Sequence, residues 1–87
     1  MADSWSVRQY LFQVGKRYIV KINFTSALSQ FEEGEVLIYQ KVVYSRYDGC
    51  YVYEFAGADG ESKSWWLGDD DPASSWKSYF RAAGLFG

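Results

Sequence analysis

The sequence predicts a mainly β fold: a small, strongly bent sheet of about four antiparallel strands, with a short N-terminal helix and a C-terminal helix. Three observations carry this. Four Trp, eight Tyr and six Phe in 87 residues suit pleated, half-buried surfaces. Two Asp-Gly pairs, Asp48-Gly49 and Asp59-Gly60, follow or separate apolar runs and are strong hairpin signals. Beyond Gly68 the apolar spacing changes from that of a strand to that of a helix.

Taken in order, residues 1–3 are expected to fray. From Ser4, a possible cap, Val7, Tyr10, Leu11 and Val14 share one helical face, and Gly15 stands where a helix stops. In RYIVKINF, Tyr18, Val20, Ile22 and Phe24 alternate with a mostly polar set, which predicts a half-buried strand over Arg17–Phe24. Residues 25–34 read as a loop, with Phe31 folded back as a plug in the core. EVLIYQKVVYSR is the longest strand candidate, yet its parity is broken. Val36, Ile38, Val42 and Tyr44 share one phase, and Leu37, Tyr39 and Val43 the other. A bulge near Gln40-Lys41 reconciles them. YVYEF follows the first Asp-Gly turn, with Tyr51, Tyr53 and Phe55 on one face. SKSWWL follows the second and carries a Trp on each face. Pro72–Ala83 spaces Trp76, Tyr79, Phe80 and Ala83 as one aromatic helical face, expected to pack on the open end of the sheet. Residues 84–87 end it.

The length sets one domain over residues 1–87. A chain this short buries only about 60% of its unfolded surface, so bulky aromatics must supply the core. Nine basic and eleven acidic residues leave a net charge of −2, which argues against nucleic acid as a partner. There is no histidine, so the commonest general base near neutral pH is missing. Cys50 is the single cysteine. It allows no intramolecular disulfide, fits a cytoplasmic location, and reads as a structural thiol rather than a nucleophile. No apolar run approaches a signal peptide or a membrane span.

WWLGDDDPASSW is the stretch that looks most like a site. Pro is favoured in the first turn of a helix, which makes Asp71 an N-cap and sets Asp69 and Asp70 near the positive end of the helix dipole. The spacing is not that of a calcium loop, which alternates its acids around a sharp Gly turn. No metal or cofactor is expected. Asp69 and Asp70 remain candidates for an acidic rim that meets a partner. Tyr39, Tyr44, Tyr47, Tyr51 and Tyr53 are candidates for an aromatic ligand surface, or for cross-strand pairs that hold the sheet. Arg17, Lys21, Lys41 and Arg46 form a candidate basic stripe. Glu35 and Glu54 are better explained as solvated strand faces than as paired catalytic carboxylates.

The runs GKRYIV, FEEGEVLIYQ, SRYDGCYVYEF and SWWLGDDD, across about residues 15–80, resemble a group of short bacterial domains of unknown function with a Src-homology-3-like small barrel. The resemblance implies a fold and no activity, because these motifs are turn and core residues. The expected function is a non-enzymatic binding module with a protein partner. The alternative is a small-ligand-binding domain with an aromatic pocket.

Overall fold

A computed structural model describes residues 11–26, 28–57 and 59–83. Among the described residues seven strands form two sheets: β1 (Arg17–Val20), β2 (Phe24–Ser26), β3 (Ser29–Phe31), β4 (Val36–Ser45), β5 (Cys50–Ala56), β6 (Ser62–Gly68) and β7 (Phe80–Ala82). The main sheet is antiparallel in the order β6-β5-β4-β1-β7, and β2-β3 is a separate hairpin.

The bulge lies where the broken parity requires it. Tyr39 pairs with Phe55 and Lys41 with Glu54, so Gln40 is the extra residue. Before it, Leu37 and Tyr39 face inward. After it, Val42 and Tyr44 share the inner face, opposite Tyr53 and Tyr51. One inserted residue exchanges the two faces of the strand, as the side-chain period of two demands. Both Asp-Gly turns close hairpins. At the first, Gly49 takes φ +60°, a conformation that costs a β-carbon-bearing residue energy. At the second, Glu61 N–H donates to the Asp59 carboxylate at 3.0 Å, and Gly60 takes φ +85°.

Inward residues of all five strands build an aromatic core: Tyr18, Leu37, Tyr39, Tyr53, Phe55, Trp65 and Phe80, among others, are buried. Phe31 is fully buried and stacks on Phe24 at 4.5 Å with an interplanar angle of 4°, so it is the plug expected of it. Phe12 enters the same core from the N-terminal side.

Four expectations are corrected. First, the sheet does not close into a barrel. Its order ends at β6 and β7, and the β6 edge is covered by side chains instead of a strand. Ser64 and Trp66 N–H donate to the hydroxyls of Ser29 and Ser26 at 3.0 and 2.9 Å. Second, the expected strand Arg17–Phe24 stops at Val20, and its continuation, β2, belongs to the hairpin formed by the expected loop. Third, the expected C-terminal helix is a six-residue 3₁₀ turn, Ala73–Ser78, followed by β7. The Ser75 hydroxyl bonds back to the Pro72 carbonyl at 2.6 Å, a local alternative to α-helix. Val20 then pairs with Phe80, and Lys21 N–H donates to the Tyr79 carbonyl at 2.7 Å, so tertiary pairing overrides helical spacing. Fourth, residues 11–15 of the expected N-terminal helix are bends and a turn. The rest of that helix, and the ends expected to fray, lie outside the described residues. Among the described residues, no helix is long and apolar enough to cross a membrane.

The 3₁₀ turn also changes the role of the aspartates. Its N-cap is Pro72, with no side-chain cap. The Asp71 carboxylate instead accepts from Gly68 N–H at 3.1 Å, pinning the turn that leaves β6. Asp71→Ala is therefore expected to lower the unfolding free energy by about 0.5–1.5 kcal/mol. Asp71→Asn, which keeps an acceptor, should cost less; denaturant midpoints read both.

Candidate functional site

Strand alternation sends half of each strand to the outer face of the main sheet, and the register aligns those residues in rows. Trp66, Val52 and Val43 lie side by side across β6, β5 and β4. Next come Ser64, Glu54 and Lys41. A third row runs Ser62, Ala56, Ile38 and Arg17. The last joins Val36, Ile19 and Arg81. Trp66 is 40% exposed and Val43 44%, and Val36 and Ile38 are also exposed. Between the last two rows lies a groove of about 410 Å³ lined by Gly15, Arg17, Val36, Ile38, Ala56 and Gly57.

The charges on this face are uneven. Arg17, Lys41 and Arg81 stand in its rows with one carboxylate, Glu54, and Glu33 lines a pocket with Ile19 and Arg81 at its edge. Among the described residues the single ion pair is elsewhere: Lys63 Nζ to Glu35 Oε2 at 2.6 Å. Lys63 points into the core side, donates to the Gln30 carbonyl at 2.6 Å and lies 5.5 Å from the Phe31 ring centre. It also lines a polar cleft of about 330 Å³ with Ser29, Gln30, Glu32 and Glu61.

The candidate tyrosines divide. Tyr39, Tyr51 and Tyr53 are buried in the core, while Tyr44 and Tyr47 are exposed. Tyr44 and Tyr51 are a cross-strand pair with ring centres 4.8 Å apart. Burial, and secondarily the Tyr18 phenol, push the Tyr39 phenol up to about 12, above its ordinary value near 10. Its native form thus holds the proton more tightly than the unfolded chain does. The linked stability is fully present below about pH 10 and declines as pH rises towards about 12. Wild type is expected to lose stability over that range more steeply than Tyr39→Phe, as chemical denaturation at stepped pH will measure.

Asp69 accepts from the Tyr44 hydroxyl at 2.8 Å, a bond that raises the Tyr44 pKa. Its N–H donates to the Gly49 carbonyl at 2.9 Å. Asp69 therefore ties the exit of β6 to the β4–β5 hairpin, and Asp70 is exposed beside it. Cys50 is buried. Burial first, then Asp48 and Asp69, push its thiol up, away from the thiolate a nucleophile needs. Glu35 is engaged by Lys63, whereas Glu54 lies opposite Lys41 and Ser64 on the outer face. Of the basic stripe, Arg17 and Lys41 share that face, Lys21 donates to the Lys77 carbonyl at 2.7 Å, and Arg46 sits in the β4–β5 turn. Among the described residues no cluster of Cys, Asp and Glu has the spacing to hold a metal ion.

Sequence reasoning passed over the outer face because its rows exist only once the register is known. The signal that was available is that the β4 run carries apolar residues in both phases, together with the second Trp of SKSWWL on the face opposite Trp65.

No protein-family model and no curated protein matches the chain. Among solved structures, it is similar to an integron cassette protein from the mobile metagenome of Vibrio cholerae, with a TM-score of 0.68 and 20% sequence identity, over 86% of this chain and 89% of that one. The likeness at that identity is one of fold, and it agrees with a short bacterial domain whose mainly β fold extends over nearly its whole length.

Proposed function

We propose that the chain is a non-enzymatic, cytoplasmic binding module that docks a protein partner on the outer face of its five-stranded sheet. The observation that supports this is the row Trp66-Val52-Val43, exposed at Trp66 and Val43, and, across the Ser64-Glu54-Lys41 row, the exposed Val36 and Ile38. The inner face buries its apolar residues against Phe12, the hairpin and the 3₁₀ turn, while Trp66, Val43, Val36 and Ile38 of the outer face stay exposed. Exposed apolar patches rimmed by polar residues mark interaction sites, and Trp is among the residue types enriched at the anchors of an interface. The non-enzymatic part rests on the missing histidine and on the buried, proton-retaining Cys50.

The test is affinity capture on immobilised wild type, on Trp66→Glu, and on Tyr47→Ser as an exposed control in the β4–β5 turn. The proposal expects a partner held by wild type and the Tyr47 variant and lost by Trp66→Glu at an unchanged denaturant midpoint. Retention by Trp66→Glu would place binding elsewhere.

A further inference from the structure

We infer that the partner segment read by this face is acidic and aliphatic, with a carboxylate set against Arg17 and a branched aliphatic side chain in the groove floored by Val36, Ile38 and Ala56. This rests on the docking face proposed above and adds the chemistry of what docks there.

The groove is apolar on its floor and cationic at its wall. Val36, Ile38 and Ala56 supply the floor, and Gly15 and Gly57 supply walls without side chains. A β-carbon built at Gly57 would meet Asp59 Oδ1 at 3.3 Å and the Glu61 carbonyl at 3.4 Å, so a side chain there would crowd the turn at that wall. Arg17 lines the same groove, pairs in register with Ile38, and takes part in no ion pair among the described residues. The two carboxylates beside Gly57, at the groove wall, are already engaged. The Glu35 carboxylate, 3.9 Å from that built position, binds Lys63, and the Asp59 carboxylate accepts from Glu61 N–H.

Charge complementarity selects the occupant. The chain is acidic overall, yet the rows of this face carry Arg17, Lys41 and Arg81 against one carboxylate, Glu54, with Glu33 added only at the Arg81 end, where it lines a pocket with Ile19 and Arg81. Such a surface steers acidic partners towards it and repels basic ones. Arg presents a planar fork of donors that matches a carboxylate bidentately. The groove opens along a sheet surface whose floor residues Val36 and Ile38 stay exposed. A small molecule is normally enclosed over most of its surface, which this shape does not provide. A chain segment lying across the rows reaches the groove, Lys41 and Arg81 together.

The experiment selects binders to wild type from a random peptide display library, then measures affinities by fluorescence anisotropy. The expected peptides place Asp or Glu next to Ile, Val or Leu. Arg17→Gln should weaken them by about ten- to a hundredfold. Changing the peptide carboxylate to its amide should cost the same, and should cost nothing further in Arg17→Gln. Peptides that need Ile38, failing on Ile38→Glu, but show no preference for acids would leave the docking face standing and overturn the acidic reading. Peptides indifferent to both Ile38 and Arg17 would overturn both. Concentration-dependent dimerisation abolished by Ile38→Glu would assign the face to a second copy and overturn the inference. Competition at the groove by a free aliphatic carboxylate, with no peptide selected, would assign it to a small ligand and do the same.

Discussion

Phe12→Ala lowers the unfolding free energy by about 3–5 kcal/mol, the largest single effect expected from this fold. Phe12 is 3% exposed and stands edge-on to Tyr18, Tyr53, Phe55, Trp65, Trp76 and Phe80, with ring centres 5.0–6.1 Å away. Edge-to-face geometry adds to each pair's burial, and the surrounding rings belong to β1, β5, β6, the 3₁₀ turn and β7. A cavity there cannot collapse without moving several elements together. Phe12→Leu keeps most of the volume and should cost clearly less. Urea unfolding followed by near-ultraviolet circular dichroism measures both. A midpoint for Phe12→Ala within error of wild type would mean that the segment before β1 does not hold the core closed.

Glu35→Gln destabilises more than Lys63→Met. The Lys63 side chain is 11% exposed and that of Glu35 23%. Removing the carboxylate leaves an ammonium on the core side with no counter-charge, only the Gln30 carbonyl and the Phe31 ring, and breaking a buried pair from one side costs about 3–5 kcal/mol. Partial exposure of Glu35 puts the expected cost at or below the low end of that range. Lys63→Met leaves a carboxylate that reaches water and an apolar chain against Phe31, so it should cost less. The double variant Glu35→Gln/Lys63→Met should recover most of the loss, because a well-packed apolar replacement of an ion pair is often neutral. Urea midpoints of the three variants decide. A Lys63→Met cost that exceeds Glu35→Gln would show that Gln30 and Phe31, rather than Glu35, hold the lysine.

The strands whose alternation answers to one buried face were legible as sequence. Tyr51, Tyr53 and Phe55 face inward as their spacing requires, and the broken parity of β4 located its bulge. The misreadings share one cause. Trp76, Tyr79, Phe80 and Ala83 have helical spacing, yet Phe80 also alternates with Ala82, and Val20 was available to pair with it. A three-residue strand carries too little local pattern to announce itself, and pairing decides it. Near the N-terminus the helical face named Leu11 and Val14; Leu11 packs partly buried against the core, whereas the residue buried in it is Phe12 and Val14 is exposed. Asp71 was legible as turn chemistry but not as to which N–H it would meet. The candidate site was the least legible part. Arg17, Ile38 and Ala56 are far apart in the chain, and nothing local says that register sets them side by side.

The central claim is that the outer face, and not the hairpin tip or the aspartate turn, meets the partner. Hydroxyl-radical footprinting of the chain alone and bound to the captured partner tests it most directly, because Trp66, Val43 and Ile38 are exposed in the free chain, as are Tyr47 and Leu28 at other places on the surface. The account predicts that oxidation of Trp66, Val43 and Ile38 falls on binding while that of Tyr47 and Leu28 holds. Protection of Tyr47 with Trp66 and Ile38 unchanged would contradict it.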